Sequence, residues 1–415
     1  MIKEYYTENK QETSIQIENS KILAIKNKNI TQKSVRVFDE EKKILALAPA
    51  VGDVPDDELE KKAIDMLSLN ISYDYELEKE TKGDFVKNNM SIKSIQELEI
   101  FTKNVMNDLK DISKDFVING MVSSNTEKQS IKNSFDLNLS LQKTSIKCSF
   151  SLKKKGSGNI MDGFTGFYGY DITENKYKSF LKDTEFIAGA CSSDIVSLEN
   201  KSYKILSNKD EILRKLYSDI KGIEYEEKTS LIAGKLNEKI ANESFCINEC
   251  YDYENLGTYI PFDDEGIVRE KELVLIENGI LKNVLYDKKQ AKKYGKVSTG
   301  NGFRSYNTHP SIASRKWRVL GVEKKVTDLL IDDTVIIPFI SSGGDFLPNG
   351  NFTLPVQLAF VFKNGKFVGR APQITMIGNY LDCLNKDFLA LGKNDFLTEL
   401  MDETLILSNI LVKIN

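Results

Sequence analysis

Residues 257–304 read GTYIPFDDEGIVREKELVLIENGILKNVLYDKKQAKKYGKVSTGNGFR, and this stretch organises the rest of the chain. It opens on an acidic turn, Pro261-Phe262-Asp263-Asp264-Glu265-Gly266. A hairpin over Glu272 to Tyr286 follows, pivoting on Asn278-Gly279. Asn-Gly between apolar runs predicts a type I′ turn, whose two central residues need positive φ. Asp287 reads as the N-cap of a short Lys-rich helix reaching Tyr294, with Gly295 as its stop. The stretch ends on a loop, Ser298-Thr299-Gly300-Asn301-Gly302, followed by Phe303 and Arg304. An acidic turn before a buried hairpin, with a basic loop after it, suits a site held on a rigid platform.

Outward from this stretch, the start of the chain reads as strands. Ser14 to Ile25 alternates around Asn19-Ser20, and Val35 to Ala48 around Asp39-Glu40-Glu41. Pro55-Asp56-Asp57 opens a helix carrying Leu59, Ala63, Met66 and Leu67. Ser94 and Glu97 form a capping-box pair before a second helix from Ile95. From Phe116 the apolar period changes to two, through Phe116, Ile118 and Val122 and later Ile146, Cys148, Phe150 and Leu152, which predicts an antiparallel sheet with one wet face. Gly156 to Gly169 reads as a loop, and Lys209 to Lys221 and Ser230 to Ala241 as helices. Val335 to Ile340 and Leu358 to Phe362 read as strands, the second closed by Asn364-Gly365, and the tail after Leu384 gives little. The fold class expected is α+β: an N-terminal α/β domain of strands and two helices over residues 1–114, then a larger β-rich domain with antiparallel sheet over residues 115–415.

At 415 residues the chain is long enough for two cores. A net charge of −4 argues against a general nucleic-acid binder, which shows a basic face. No apolar run approaches the roughly 20 residues that span a bilayer, and the polar start MIKEYYTENK is no signal peptide, so a cytoplasmic protein away from the membrane is expected. Five scattered cysteines suit reduced thiols, and Cys246 and Cys250 lack partners for a zinc site. There is no phosphate loop and no nucleophile elbow, and the single histidine, His309, leaves little room for a triad.

PFDDEG, the LIENG hairpin and STGN with a following arginine, in that order, resemble the TldD/PmbA family, also called modulator of DNA gyrase. The similarity is weak before Phe116 and good from there to Leu384. The resemblance implies that the TldD branch carries His-Glu-x-x-x-His on a helix in its later half. The matching stretch here, Asp210 to Lys221, reads DEILRKLYSDIK and holds no histidine; its Asp210, Glu211 and Asp219 are expected to face solvent. The cysteine ligand of that branch has no counterpart at Lys366 to Arg370. The resemblance therefore points to the PmbA/TldE-like branch, with no catalytic residue, no metal ligand and no cofactor of its own, and with zinc only in a TldD-like partner.

The residues themselves leave alternatives open at the site. Asp263, Asp264 and Glu265 either place oxygens on a hard cation or on the cationic groups of a peptide, or form a solvated turn capped by Gly266 with carboxylates bonding backbone N–H groups; the turn is the favoured reading. Ser298 to Arg304, including Asn301, either cradles an anion with backbone N–H groups while Arg304 clamps a carboxylate, or is a tight connection. Ser341 to Phe346, with Asp345, is a second glycine-bearing loop of the same standing. The function expected is a non-catalytic subunit of a peptide-processing metalloprotease, forming part of a peptide-binding cleft with a TldD-like zinc subunit. A free-standing homodimeric peptide-binding protein is the alternative, and an enzyme using the acidic cluster with a divalent ion is a third.

Overall fold

A computed structural model describes residues 1–253, 258–331 and 333–415, so Gly257 of the organising stretch lies outside the described residues. The chain begins with two very long antiparallel strands, β1 (Ile2–Glu18) and β2 (Lys21–Asp39), joined where Asn19 and Ser20 take φ of 51° and 61°. There follow β3 (Ile44–Val51), helix α1 (Asp56–Asp65), β4 (Ile71–Ser72), β5 (Lys82–Lys87), helix α2 (Ile95–Asp108), β6 (Phe116–Asn133), β7 (Asn138–Lys154) and β8 (Gly163–Gly169). These strands make one sheet in the order β4-β3-β2-β1-β6-β7-β5, with β8 beside β7. Helix α2 starts at the expected capping box: Ser94 Oγ accepts from Glu97 N–H at 3.2 Å, and Glu97 Oε2 accepts from Ser94 N–H at 3.1 Å. It buries Leu98 and Val105 in the same core as Ile15, Ile118 and Phe150.

The division expected at Lys114 falls inside this sheet, because β1 pairs with β6 from Glu4↔Asn133 to Ile17↔Gly120. Half of the stretch expected as a loop, Gly163 to Gly169, is strand β8. Gly166 lies so close to β7 that a β-carbon there would collide with the Cys148 carbonyl. Its glycines therefore serve close backbone approach rather than a loop.

A 19-residue helix, Glu174–Ser192, joins the two halves. Thr173 caps it by accepting from Lys176 N–H at 3.2 Å. It packs on β7 and β8 on one side and on the strand Lys366–Arg370 on the other, burying Phe180, Ile187 and Cys191. Phe164 of β8 stacks on Phe339, centroid to centroid 4.5 Å, which ties the first sheet directly to the second.

The second sheet closes on itself. Val335–Ser341 pairs with Lys201–Asn208, that with Thr404–Ile414, that with Ile374–Asn379, that with Asn351–Lys363, and the last returns to Val335–Ser341. Closure leaves no edge within the ring. The tail that gave little from sequence supplies Thr404–Ile414, a central member of this ring with Leu405, Ile406 and Val412 buried. The expected helix over Lys209 to Lys221 is two short helices, Lys209–Ile212 and Arg214–Asp219, and residues 230–241 form turns instead of a helix. The turns are held from outside: Asn237 N–H donates to Leu281 O, and Ile240 N–H to Gly279 O.

A small sheet carries the organising stretch: Ile280–Leu281, Glu272–Glu277, Ile247–Cys250 and Trp317–Val319, in that order. The Asn278-Gly279 turn has φ of 49° and 76°, as a type I′ turn requires. The helix Lys288–Tyr294 is capped by Asp287, which accepts from Gln290 N–H at 2.7 Å, and ends at Gly295 with φ 63°. Among the described residues no helix is long and apolar enough to cross a membrane.

Candidate functional site

The acidic turn is buried, not solvated. Asp263, Asp264 and Glu265 retain 0%, 3% and 5% of their surface. The loop Ser298 to Arg304 lies against them, and its backbone N–H groups do cradle anions: the chain's own. Asp263 Oδ1 accepts from Glu265 and Ile267 N–H at 3.0 and 2.9 Å, and its Oδ2 from Gly302 N–H at 3.0 Å. Asp264 Oδ2 accepts from Arg304 N–H at 2.8 Å, and its Oδ1 from Gln129 Nε2 of β6 at 2.6 Å. Glu265 Oε2 takes the N–H of Lys288 at 2.8 Å, in the first turn of the helix Lys288–Tyr294. The favoured reading from sequence was therefore right about the backbone partners and wrong about the solvent. Two glycines make the approach feasible: Gly266 turns the chain with φ 85°, and a β-carbon at Gly302 would collide with the Glu265 carboxylate.

Burial raises all three carboxyls. Asp263 is pushed up to about 7, with its three backbone hydrogen bonds pulling the other way and the Asp264 charge adding to the rise. Asp264 is raised by burial against the pull of the Arg304 backbone and guanidinium. Glu265 is raised well above the usual carboxylate range by burial and then by Asp263.

Two arginine–carboxylate clusters flank the turn. Glu4 and Arg36 are opposite one another across β1 and β2, and Arg36 Nη2 and Nε sit 2.6 and 2.8 Å from Glu4 Oε1. Arg304 Nη2 donates to the same oxygen at 3.1 Å and its guanidinium lies 4.7 Å over the Tyr6 ring. On the other side Glu249 Oε2 accepts from Arg269 at 2.5 Å and from Asn301 Nδ2 at 2.6 Å, while its Oε1 accepts from Arg315 N–H. Asn301 is fully buried and also takes the Thr299 hydroxyl at 2.7 Å. Burial lowers Arg304 to about 10, with Arg36 pushing the same way and Glu4 opposing.

Of the residues singled out from sequence, Asp263, Asp264, Glu265, Gly266, Asn301 and Arg304 come together here. Asp345 does not: it is exposed, on the two-residue strand Asp345–Phe346 at the end of the second sheet. Sequence reasoning missed Glu4, Arg36, Glu249, Arg269 and Arg315. A signal existed for the second of these, since Arg36 interrupts the apolar run Val35-Arg36-Val37-Phe38.

Between the face of β1, β6 and β7 and the loop after Arg304 lies a pocket of about 430 Å³, with Tyr6, Phe262, Phe303, Arg304, Tyr306 and Arg315 in its wall. A second, of about 610 Å³, opens behind the hairpin and is lined by Val268, Leu273, Tyr286 and Val297 among others.

The Asp210 to Asp219 stretch is also unlike its expectation. Its carboxylates turn inward. The fully buried Lys209 ammonium is 3.0 Å from Asp210 Oδ1 and 3.6 Å from Asp402 Oδ2. Asp210 also accepts from the Tyr217 hydroxyl at 2.6 Å, and Glu211 from the Ser341 hydroxyl at 2.6 Å. Asp219 is held by Lys215 and by the Tyr380 hydroxyl. Among the described residues no group of three or more His, Cys, Asp or Glu side chains is arranged to hold a metal ion.

Fold and site together define a β-rich α+β protein with a closed sheet in its second half and an internally neutralised acidic turn. Residues 210–413, just under half of the chain, match the PmbA/TldA metallopeptidase C-terminal domain. A metalloprotease TldD homolog of Buchnera aphidicola is 32% identical over 161 residues, 38% of this chain and 33% of that protein, so the match spans about a third of that relative's length. An uncharacterized protein of Methanocaldococcus jannaschii is 27% identical over 296 residues, 70% of this chain and 68% of its own. The solved structure of TldE from Thermococcus kodakarensis has the same fold, with a TM-score of 0.80 at 20% identity, covering 99% of this chain and 96% of that one.

Proposed function

We propose that this chain is a non-catalytic, PmbA/TldE-like subunit of a cytoplasmic peptide-processing protease, paired with a TldD-like subunit that carries the zinc. One observation carries the reading. The stretch Asp210 to Asp219 lies within the range matching a metallopeptidase domain, yet its carboxylates are bonded to Lys209, Tyr217, Ser341, Lys215 and Tyr380 instead of converging on a common point. Asp210 and Asp219 are each paired with a lysine ammonium, and Glu211 with a hydroxyl. The chain would then supply wall, not chemistry: the acidic turn holds the loops 261–267 and 298–304 against the first sheet and shapes a cleft for peptide. A stable pairing buries roughly 1,000 Å² or more. The test is to purify the chain alone and with a TldD-like subunit from the same cell, and to measure mass in solution and cleavage of an unfolded peptide. A heterodimer whose peptidase activity depends on both chains is the expected result. A monomer in both preparations, with no gain on mixing, removes the subunit reading; a stable homodimer that binds peptide without cleaving it favours the free-standing alternative.

A further inference from the structure

The arginines around the acidic turn have more hydrogen-bond donors than the protein uses. Arg304 is fully buried, and its Nε and Nη1 have no acceptor among the described residues. Arg36 Nη1 and Arg315 Nε are buried and unpartnered in the same way. The Arg315 guanidinium forms no ion pair within 4 Å among the described residues; its Cζ lies over the Phe303 ring, 3.6 Å from the ring centre. A buried guanidinium donor without an acceptor is costly, and four such nitrogens on three arginines are donors that an anion would satisfy. The Gly302 and Arg304 N–H groups of the loop are already spent on Asp263 and Asp264, so the unused guanidinium donors are what the loop region offers a ligand.

We propose that the 430 Å³ pocket between Tyr6, Phe303, Arg304 and Arg315 binds the C-terminal carboxylate of a peptide, with the Arg315 fork as the accessible clamp and Arg304 behind it. This assigns the substrate end held by the cleft and rests on the peptide-binding reading above. Arg315 presents a planar fork that fits an anion bidentately, carboxylate and phosphate alike. Two further features select a carboxylate. Asp264 stands in the same wall, and Glu8 and Glu127 there are paired with Lys10 and Lys143, so the wall offers little net positive charge beyond the guanidinium groups and favours a monoanion over a dianion. Among polar side chains such as Gln32, Gln129 and Asn307, the wall also carries an apolar strip of Phe262, Phe303, Tyr306 and Leu141, which suits a terminal side chain.

The experiment is calorimetric titration of the intact chain with Ac-Ala-Ala-Phe bearing a free C-terminal acid, the same peptide as its C-terminal amide, and inorganic phosphate. The acid is expected to bind at least about tenfold more tightly than the amide, the scale of a charge-assisted hydrogen bond. Arg315→Gln should erase that difference, while Arg315→Lys, which keeps the charge and loses the fork, should retain only part of it. Thermal melts of both variants show whether the fold is intact; should Arg315→Gln fail to fold, Arg315→Lys and the acid–amide pair on the native chain decide. Equal binding of acid and amide, no binding of either, or phosphate binding as tightly as the acid overturns the proposal. Pairing with a TldD-like subunit but no acid–amide discrimination would sink the pocket alone. Discrimination without pairing would sink the subunit reading alone.

Discussion

The acidic turn and the Lys209 cluster are both inward-facing collections of carboxylates, and they are neutralised by different partners, although burial raises Asp402 of the second as well. Around Asp263, Asp264 and Glu265 the partners are largely backbone N–H groups, and burial wins: all three carboxyls are raised. Around Lys209 the partner is a full positive charge. Burial would raise Asp210 there too, but Lys209, the Tyr217 hydroxyl and Lys316 outweigh it and hold the carboxyl below its usual range. The Lys209 ammonium is raised in turn, because Asp402 and Asp210 outweigh the burial that would lower it. The difference teaches what each place is for. Backbone donors fix loop geometry, so the turn is a staple between the first sheet and the stretch after Ile260. An ion pair fixes a packing register, so the Lys209 cluster locks two short helices against the strand Thr404–Ile414.

The largest effect expected is from Asp263→Ala. It strands the N–H groups of Glu265, Ile267 and Gly302, each costing about 1–3 kcal/mol, so urea denaturation should show a loss of about 4 kcal/mol. Asp263→Asn should lose less than half of that, because an amide oxygen still accepts. The same pair separates the pH behaviour. The folded Asp263 carboxyl is raised to about 7, above its unfolded value, so its contribution is fully present below about pH 4 and is lost as pH rises through 7. Native protein should therefore lose stability relative to Asp263→Asn across that window. A gap between the two that is constant with pH would show the carboxyl to be ionised throughout.

Lys209→Met is expected to cost somewhat less, about 3 kcal/mol in the same assay, the lower end of what breaking a buried pair costs. The side chain of Asp210 keeps 33% of its surface and can recover some hydration, which moderates the loss. Adding Asp402→Asn should restore part of the stability, since one of the stranded charges is gone. A double variant weaker than the single one would mean that Asp402 is needed for the N–H of Asp210, to which it is bonded at 3.1 Å, more than for the ammonium.

What the sequence showed were features whose physics is local. The Asn278-Gly279 turn, the Ser94–Glu97 capping box and the Asp287 and Gly295 helix ends each depend on residues within four of one another, and each is present. What it hid depends on partners far away. The helix Glu174–Ser192 is covered by a sheet on each side, so ENKYKSFLKDTEFIAGACS shows no single apolar stripe. The tail strand Thr404–Ile414 makes sense only inside a closed ring whose other members start at Lys201. At the site, the acidic turn was conspicuous because three carboxylates are adjacent. That Glu4 would share an oxygen with an arginine 300 residues later could not be read from spacing. The solvated turn was the natural expectation for a DDE sequence; the backbone of a loop forty residues on is what makes it buriable.

The smallest effect concerns His309, which feels the charges of Arg36, Arg304 and Lys289. Its imidazole is half-buried, with Nδ1 unpartnered. Burial lowers its pKa to about 4, and Arg36, Arg304 and Lys289 push the same way. The folded value lies below the unfolded one, so the native state holds fewer protons than the unfolded chain between about pH 4 and 6.5. Stability from the neutral ring is complete above pH 6.5 and is lost as pH falls through 4, the opposite sign to Asp263. Because the side chain is partly exposed, solvent screening limits the stake to about 1 kcal/mol. As the one histidine in the chain it gives a single pair of ring resonances, so an NMR titration reads it without assignment. The ring should stay neutral down to about pH 4 in native protein and titrate at a higher value in Arg304→Gln, where one repelling charge is removed. A native midpoint near 6.5 would mean that neither burial nor the guanidinium charges of Arg36 and Arg304 act on the ring as the structure implies.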